Sequence, residues 1–331
     1  MKPGTIILLL LLSCPTIAKQ GVVTGGQNYT IPDWFKLSLL DLKEDAEEAG
    51  REKKHLMLFM HLKACPYCTR MLNENFRIGD NKKYAQKHFD VIAINIRGNK
   101  EIAWKNGKAY TEVDFAKIIG VFATPTIVFL DYKGRKVLQL NGYRKARAFR
   151  DAMEYIHGRH YKKITLSQFV KRKRRNPVYK FIDHPLIKRP LNMKNHAGPL
   201  AIIFESPDCV DCAEFHNKVL HHTSVLPELK KFIFVRLNTY SQKKIVTPSG
   251  KIVTPDYWAR KLGLNYRPGL ALYNKGKLIS LINGRYYHFH FKENLRYVSG
   301  GHFRRYPTFS QYLKARQKEL LNKGINIDLS E

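Results

Sequence analysis

The chain has 331 residues, enough for two domains of ordinary size, and its 44% hydrophobic and 12% aromatic content excludes a disordered polymer. Lys and Arg outnumber Asp and Glu by 58 to 27, a formal charge of +31. An excess of that size points to an anionic contact: a membrane surface, an acidic protein or nucleic acid.

The N-terminus narrows that choice. Met1-Lys2 precedes the apolar run "IILLLLLSC", too short to span a bilayer comfortably, and Thr16-Ile17-Ala18 supplies small residues for a cut. This layout predicts a secretory signal over residues 1–18, cleaved near Ala18, and a periplasmic or secreted protein. The alternatives are a lipoprotein attached through Cys14, for which Leu12 and Pro15 are poor matches, and an uncleaved anchor. Export disfavours nucleic acid as a partner and turns the basic surface toward envelope anions.

From there the elements follow in order. "DLKEDAEEAGREKK" reads as a charged helix with Leu42, Ala46 and Ala49 on one stripe, and "HLMLFMHL" (55–62) as a buried strand. "CTRMLNENF" has Met71, Leu72 and Phe76 at helical spacing. "FDVIAINI" is a second strand, and "EVDFAKIIGV" a helix closed by Gly120. "TPTIVFLDYKGRKVLQL" gives two strands about a Lys-Gly turn, and "ARAFRDAMEYI" a closing helix.

The same order then repeats through "GPLAIIFESPDCVDCAEF", "KFIFVRLN", "TPDYWARKLGL" and "RPGLALYNKGKLISLI". Thr111, Ala116, Gly120 and Pro125 correspond to Thr254, Ala259, Gly263 and Pro268, each 143 positions later, while Cys65 and Cys209 differ by 144. The tails also correspond, "EYIHGRHYKKITLSQFVKRK" with "RYVSGGHFRRYPTFSQYLKAR". These matches predict two copies of one α/β fold, a central mixed sheet flanked by helices, over 32–170 and 187–325. A basic linker over 171–186 is expected between them, its run "KRKRRNP" reading as a solvated helix end. The aromatic and basic stretch "NGRYYHFHFKENLRYVSGGHFRRYP" (283–307) reads as core positions of a closing strand and helix rather than a ligand surface.

Apart from Cys14, the cysteines form two C-x-x-C pairs, Cys65/Cys68 and Cys209/Cys212. A C-x-x-C pair alone allows a redox couple, half a zinc site or a structural disulfide. A small secreted scaffold spreads its cysteines to staple distant loops, and these are not spread. A strand feeding C-x-x-C into a helix start favours dithiol chemistry, because unpaired N–H groups and the dipole stabilise a thiolate on the first cysteine. Cys65 is then the attacking sulfur and Cys68 the resolver, with Cys209 and Cys212 in the same roles. Asp211 places negative charge beside the second pair and is expected to make its sulfurs less acidic. Zinc knuckles pair such motifs 15–20 residues apart, not a whole fold apart. Copper handling is the other alternative, with Met60, His61 and Met71 nearby, although those methionines sit at core spacing.

Strand, C-x-x-C helix, and Thr124-Pro125 before a two-strand hairpin resemble the thioredoxin superfamily. "CPYCTRM", "GVFATPTIVFLDYKGRKV" and "GYRKARAFRDAMEYI" are similar, more narrowly, to exported thioredoxin-related proteins of bacterial sulfur-oxidation systems. The resemblance implies that Pro125 and Pro268 are cis and pack against the cysteines, and that with Thr124 and Arg267 they hold a substrate strand. It implies a thiol–disulfide oxidoreductase exchanging disulfides with envelope proteins, recycled by a redox partner and requiring no cofactor. Two departures stand out. Tryptophan precedes neither first cysteine, and the buried acid expected six residues before it is Phe59 in the first copy and Ile203 in the second. His61 and Glu205, four residues before each first cysteine, are partial substitutes or ordinary buried polar groups. The second copy, with Arg267 beside Pro268, is either redox-active or a binding module.

Overall fold

The computed structural model describes residues 20–26, 28–174 and 176–329. The expected signal over 1–18, and Cys14 with it, lies outside them.

Both copies form. In the first, strands Phe89–Asn95, His55–His61, Thr126–Leu130 and Lys136–Asn141 lie side by side in that order. The first two are parallel and the remaining pairings antiparallel. In the second, the order is Lys277–Ile282, Gly269–Asn274, Pro199–Glu205, Ile233–Asn238 and the short Ile187–Lys188. Pro199–Glu205 is parallel to Ile233–Asn238 and antiparallel to Gly269–Asn274. Phe59 faces Ile127 and Ile203 faces Leu270, so the cysteine-bearing strand meets the hairpin in the same way in both halves.

The central strands read as uninterrupted apolar runs because both of their faces are covered. Successive side chains point to opposite sides. Met57 and Phe59 therefore join one core, with Phe76, Phe129 and Phe149, while Leu56, Leu58 and Met60 join another with Phe115. Ala201 and Ile203 divide from Leu200, Ile202 and Phe204 in the same way. The tails match as well: Thr165 with Gln168, and Thr308 with Gln311, form capping boxes at the starts of helices Leu166–Lys173 and Phe309–Asn322.

Three features depart from expectation. The helix after each cysteine pair gives way to a π-helical turn, Asn73–Arg77 in the first copy and Phe215–Leu220 in the second. The expected linker 171–186 is packed only in part, with Lys171, Arg172 and Lys173 exposed as a solvated helix end. Its first residues finish helix Leu166–Lys173, and Arg174 is buried against Asp151 while donating to the Asp208 carbonyl. Tyr179, Phe181 and Ile182 lie over the second cysteine pair. Finally, Val23–Thr24 pairs in parallel with Ile327–Asp328, fastening the segment before the first domain to the one after the second.

The two domains share a tight interface. Arg144, buried, donates to the Asn283 carbonyl at 3.0 Å, and Asn265 donates to the Gln139 carbonyl at 2.7 Å. Gly284 allows this approach, since a Cβ there would sit 2.4 Å from the Asn141 carbonyl oxygen. Of the stretch 283–307, Tyr287, Phe289, Phe291, Leu295 and Tyr297 are buried as expected, but Tyr287 packs into the first domain's core.

Candidate active sites

The first pair lies where the strand His55–His61 turns into the helix Pro66–Leu72. Cys65 and Cys68 form a disulfide with Cα atoms 5.2 Å apart. Cys65 is the helix N-cap, and its Sγ accepts the Cys68 backbone N–H at 3.1 Å. Pro66 at the first helical position suits a turn that has no use for its missing N–H. Across the site the Thr124–Pro125 peptide is cis, and the Thr124 hydroxyl donates to Cys65 Sγ at 3.3 Å. Cys65 is 6% exposed and Cys68 fully buried, both in the same core as Phe59, while Ala64 just before Cys65 and Phe122 just before the Thr124 loop are exposed. A sulfur at the helix start with two donors aimed at it is the one whose thiolate is stabilised.

Tyr67, between the cysteines, does not face solvent. Its ring stacks on Tyr287 at 4.6 Å, its hydroxyl accepts the Tyr287 backbone N–H at 3.1 Å, and it bonds His290 Nδ1 at 3.1 Å. Arg70, one turn further on, donates to Glu74 at 2.6 Å and to the Tyr287 hydroxyl at 2.6 Å. Burial opposes the Arg70 charge, but the bonds to Glu74 and Tyr287 outweigh it and raise its pKa.

The polar residues before the cysteines are satisfied locally. His61 bonds the Tyr29 hydroxyl at 2.9 Å, stacks on Phe59, and is pushed down to about 4 by burial. Glu205 is fully buried between His216 at 2.7 Å and Arg236 at 2.8 Å. Met60 and Met71, read as conceivable copper donors, are fully buried in different cores. Among the described residues, no three His, Cys, Asp or Glu side chains form a metal-sized group.

The second pair differs from the first. Cys209 and Cys212 also form a disulfide, with Cα atoms 5.5 Å apart, and the Arg267–Pro268 peptide is cis. The helix, however, begins at Cys212, with Asp211 as its N-cap, so Cys209 does not open it as the sequence suggested. The chain 206–211 is a turn, held by a bond from Cys209 N to the Ser206 carbonyl at 3.0 Å. Asp211 is buried, accepting from the Tyr266 hydroxyl at 2.8 Å, with the Lys145 ammonium of the first domain at 3.5 Å. Its charge is thus partly compensated rather than directed at the sulfurs alone. Arg267 folds back on its own loop, donating to the Leu264 and Tyr266 carbonyls at 3.1 and 2.9 Å.

The interdomain residues were not legible beforehand. Tyr67, Arg144, Lys145 and Arg174 carry no periodicity that distinguishes a partner domain from solvent. Tyr179 and Phe181 did leave a signal, as aromatics inside a stretch read as a basic linker.

A disulfide set at a strand-to-helix turn, its first sulfur capping the helix and its second fully buried, suits exchange with another thiol or disulfide, and fold and site together define a thiol–disulfide oxidoreductase. The chain belongs to the thioredoxin-like domain family, whose model matches residues 42–157 and again 191–299. No curated protein matches the chain. Among solved structures it is similar to a thioredoxin-fold protein from Helicobacter pylori, at 26% identity, covering 37% of this chain and 84% of that one, with a TM-score of 0.33. It is also similar to the DsbH oxidoreductase, at 16% identity, covering 40% and 94%, with a TM-score of 0.29. A third is the reduced C-terminal domain of Neisseria meningitidis DsbD, at 19% identity, covering 34% and 91%, with a TM-score of 0.27.

Proposed function

We propose that the protein is exported and exchanges disulfides through a C-x-x-C dithiol in each domain, the first pair being the one that exchanges with envelope proteins. In the reducing direction, the Cys65 thiolate attacks a substrate disulfide, forms a mixed disulfide and releases one substrate thiolate. The Cys68 thiolate then attacks Cys65 Sγ, closing the protein disulfide and releasing the second. The substrate gains the two electrons that the dithiol loses, and the same steps reversed oxidise a substrate. Thr124 and Pro125 border the incoming strand, and a separate redox protein resets the pair.

The observation that carries this reading is Cys65 itself, a helix-capping sulfur that takes the Thr124 hydroxyl at 3.3 Å and follows the exposed Ala64. Export rests on the N-terminal "IILLLLLSC…Thr16-Ile17-Ala18" and on the likeness of "CPYCTRM" to exported relatives. A net charge of +31 supports contact with an anionic membrane surface.

The test is a titration of the full chain against a graded thiol–disulfide buffer, reading Cys65 and Cys68 by alkylation and mass. A reversible two-electron transition is expected, and a pair that never exchanges contradicts the reading.

A further inference from the structure

The second disulfide opens on a cleft of about 280 Å³ whose opposite wall is the first domain. Leu140, Ala148 and Leu166 close that wall, facing Cys209 and Tyr266. Cys209 is the cysteine that lines the space, and Cys212 is fully buried behind it. On the remaining side, Val178 and Tyr179 both donate to the Pro207 carbonyl, at 2.8 and 3.0 Å, and so hold the interdomain stretch over the disulfide. A strand added beside Arg267 needs roughly 4.8 Å of clear width along its whole length, with room for side chains beyond. Here Asn265, two residues away, is already bonded to the Gln139 carbonyl of the first domain at 2.7 Å. The volume lies just below the ~300–1,000 Å³ typical of small-ligand sites.

Four aspartates and four cations, Arg144, Lys171, Arg174 and Arg267, line the cleft, with Asp208 and Asp256 attracting Arg267 at longer range, but the two signs are not equally paired off. Of its acids, Asp151 is paired with Lys173 and Arg174, Asp211 with Lys145, and Asp256 with Arg260. Asp208 accepts the Ser206 hydroxyl. Arg144, Lys171 and Arg267 also line the space, and among the described residues none of these three has a carboxylate within ion-pair distance. Arg144 spends its donors on carbonyls, Lys171 lies over the Tyr240 ring at 4.4 Å, and Arg267 has a buried Nη2 without a hydrogen-bond partner. The unpartnered Nη2 of Arg267, with Lys171 on the same cleft, is the place left for a small anion.

We propose that Cys209–Cys212 exchanges with a low-molecular-weight thiol bearing carboxylates, not with protein thiols, and that Arg267 and Lys171 bind its anionic end. The proposal rests on the reading that both pairs exchange thiols. The small thiolate attacks Cys209 Sγ, the S–S bond breaks, and Cys212 leaves as a thiolate that takes up a proton. A second small thiol attacks the small-molecule sulfur of the mixed disulfide, releasing a small disulfide and the Cys209 thiolate. Two small thiols lose two electrons and the protein disulfide gains them. The reverse sequence consumes the small disulfide.

The experiment challenges the oxidised full chain with glutathione or with cysteamine at equal thiolate concentration, and separately with reduced, unfolded ribonuclease A. Acid quenching and peptide mass then locate adducts at Cys65 and at Cys209. Glutathione is expected to open Cys209–Cys212 at least roughly tenfold faster than cysteamine, the unfolded protein to react at Cys65 only, and Arg267→Gln to remove the preference for glutathione. Lys171→Gln, a change on the exposed end of a helix, is expected to reduce it severalfold and serves if the Arg267 variant does not fold. Equal rates for the two small thiols, ribonuclease adducts on Cys209, or an inert Cys209 beside a reactive Cys65 overturns the proposal. An inert Cys65 beside a Cys209 selective for glutathione leaves it standing and overturns protein exchange at the first site.

Discussion

Tyr67 of the first C-x-x-C motif stacks on Tyr287 of the second domain, ring centroids 4.6 Å apart and planes 14° from parallel. The residue between the first two cysteines is therefore also a joint between domains. Tyr67→Ala removes a ring that is only 8% exposed, along with its bonds to Tyr287 N and His290, and is expected to cost about 3 kcal/mol. Tyr67→Phe keeps the stack and is expected to cost roughly 1–2 kcal/mol. Urea unfolding of the two variants distinguishes them, and equal losses would mean that the ring stack contributes nothing.

Gly284 sets how closely the domains approach. A Cβ there meets the Asn141 carbonyl at 2.4 Å, a backbone atom that cannot swing aside. Gly284→Ala is expected to cost about 2 kcal/mol by overpacking and to split unfolding into two transitions. Protease cleavage within 171–186 then rises. A single sharp transition with unchanged cleavage contradicts this.

Three histidines make stability acid-sensitive. His55, His61 and His290 are each held down to about 4, chiefly by burial, with Arg159 and His157 adding to the effect at His55 and His288 at His290. Because their folded values lie below the unfolded value of about 6.5, the unfolded chain takes up protons first as the pH falls. The stability they contribute is complete above about 6.5 and is lost progressively toward about 4. Urea midpoints are expected to fall between pH 7 and pH 5, with a shallower slope in His61→Gln, whose amide retains a partner in Tyr29. A flat profile in the parent protein rules this out.

Thr124 donates to Cys65 Sγ, and in the dithiol state that bond favours the thiolate. Thr124→Val is expected to raise the Cys65 pKa, by removing a donor to the thiolate, and Thr124→Ser to restore it. The pH dependence of Cys65 alkylation in the reduced chain gives the answer.

Much of the fold was legible because burial on both faces of a strand leaves an unbroken apolar run, and "HLMLFMHL" and "PLAIIFE" are such runs. The offset of 143–144 between copies set Pro125 and Pro268 in corresponding places, each at a cis peptide just before the strand that pairs with the cysteine-bearing strand. The helix at the second pair was not legible, since "CPYC" and "CVDC" share a spacing but only the first has Pro66 to start a turn of helix beside its capping sulfur. The π-helical turns at Asn73–Arg77 and Phe215–Leu220 were also hidden, because they keep apolar residues near helical spacing while shifting the register. The burial of Arg174 was missed for a different reason. In a run of five cations, local sequence cannot say which two find Asp151.

The central claim is that Cys65 attacks and Cys68 resolves. Its most direct test is the full chain carrying Cys68→Ser, reduced and then incubated with an oxidised, unfolded protein disulfide. With the resolver gone, a mixed disulfide through Cys65 is expected to accumulate, and Cys65→Ser in its place is expected to trap nothing at the first site. Adducts carried by Cys68 in the Cys65→Ser chain, with none on Cys65 in the Cys68→Ser chain, would contradict the account.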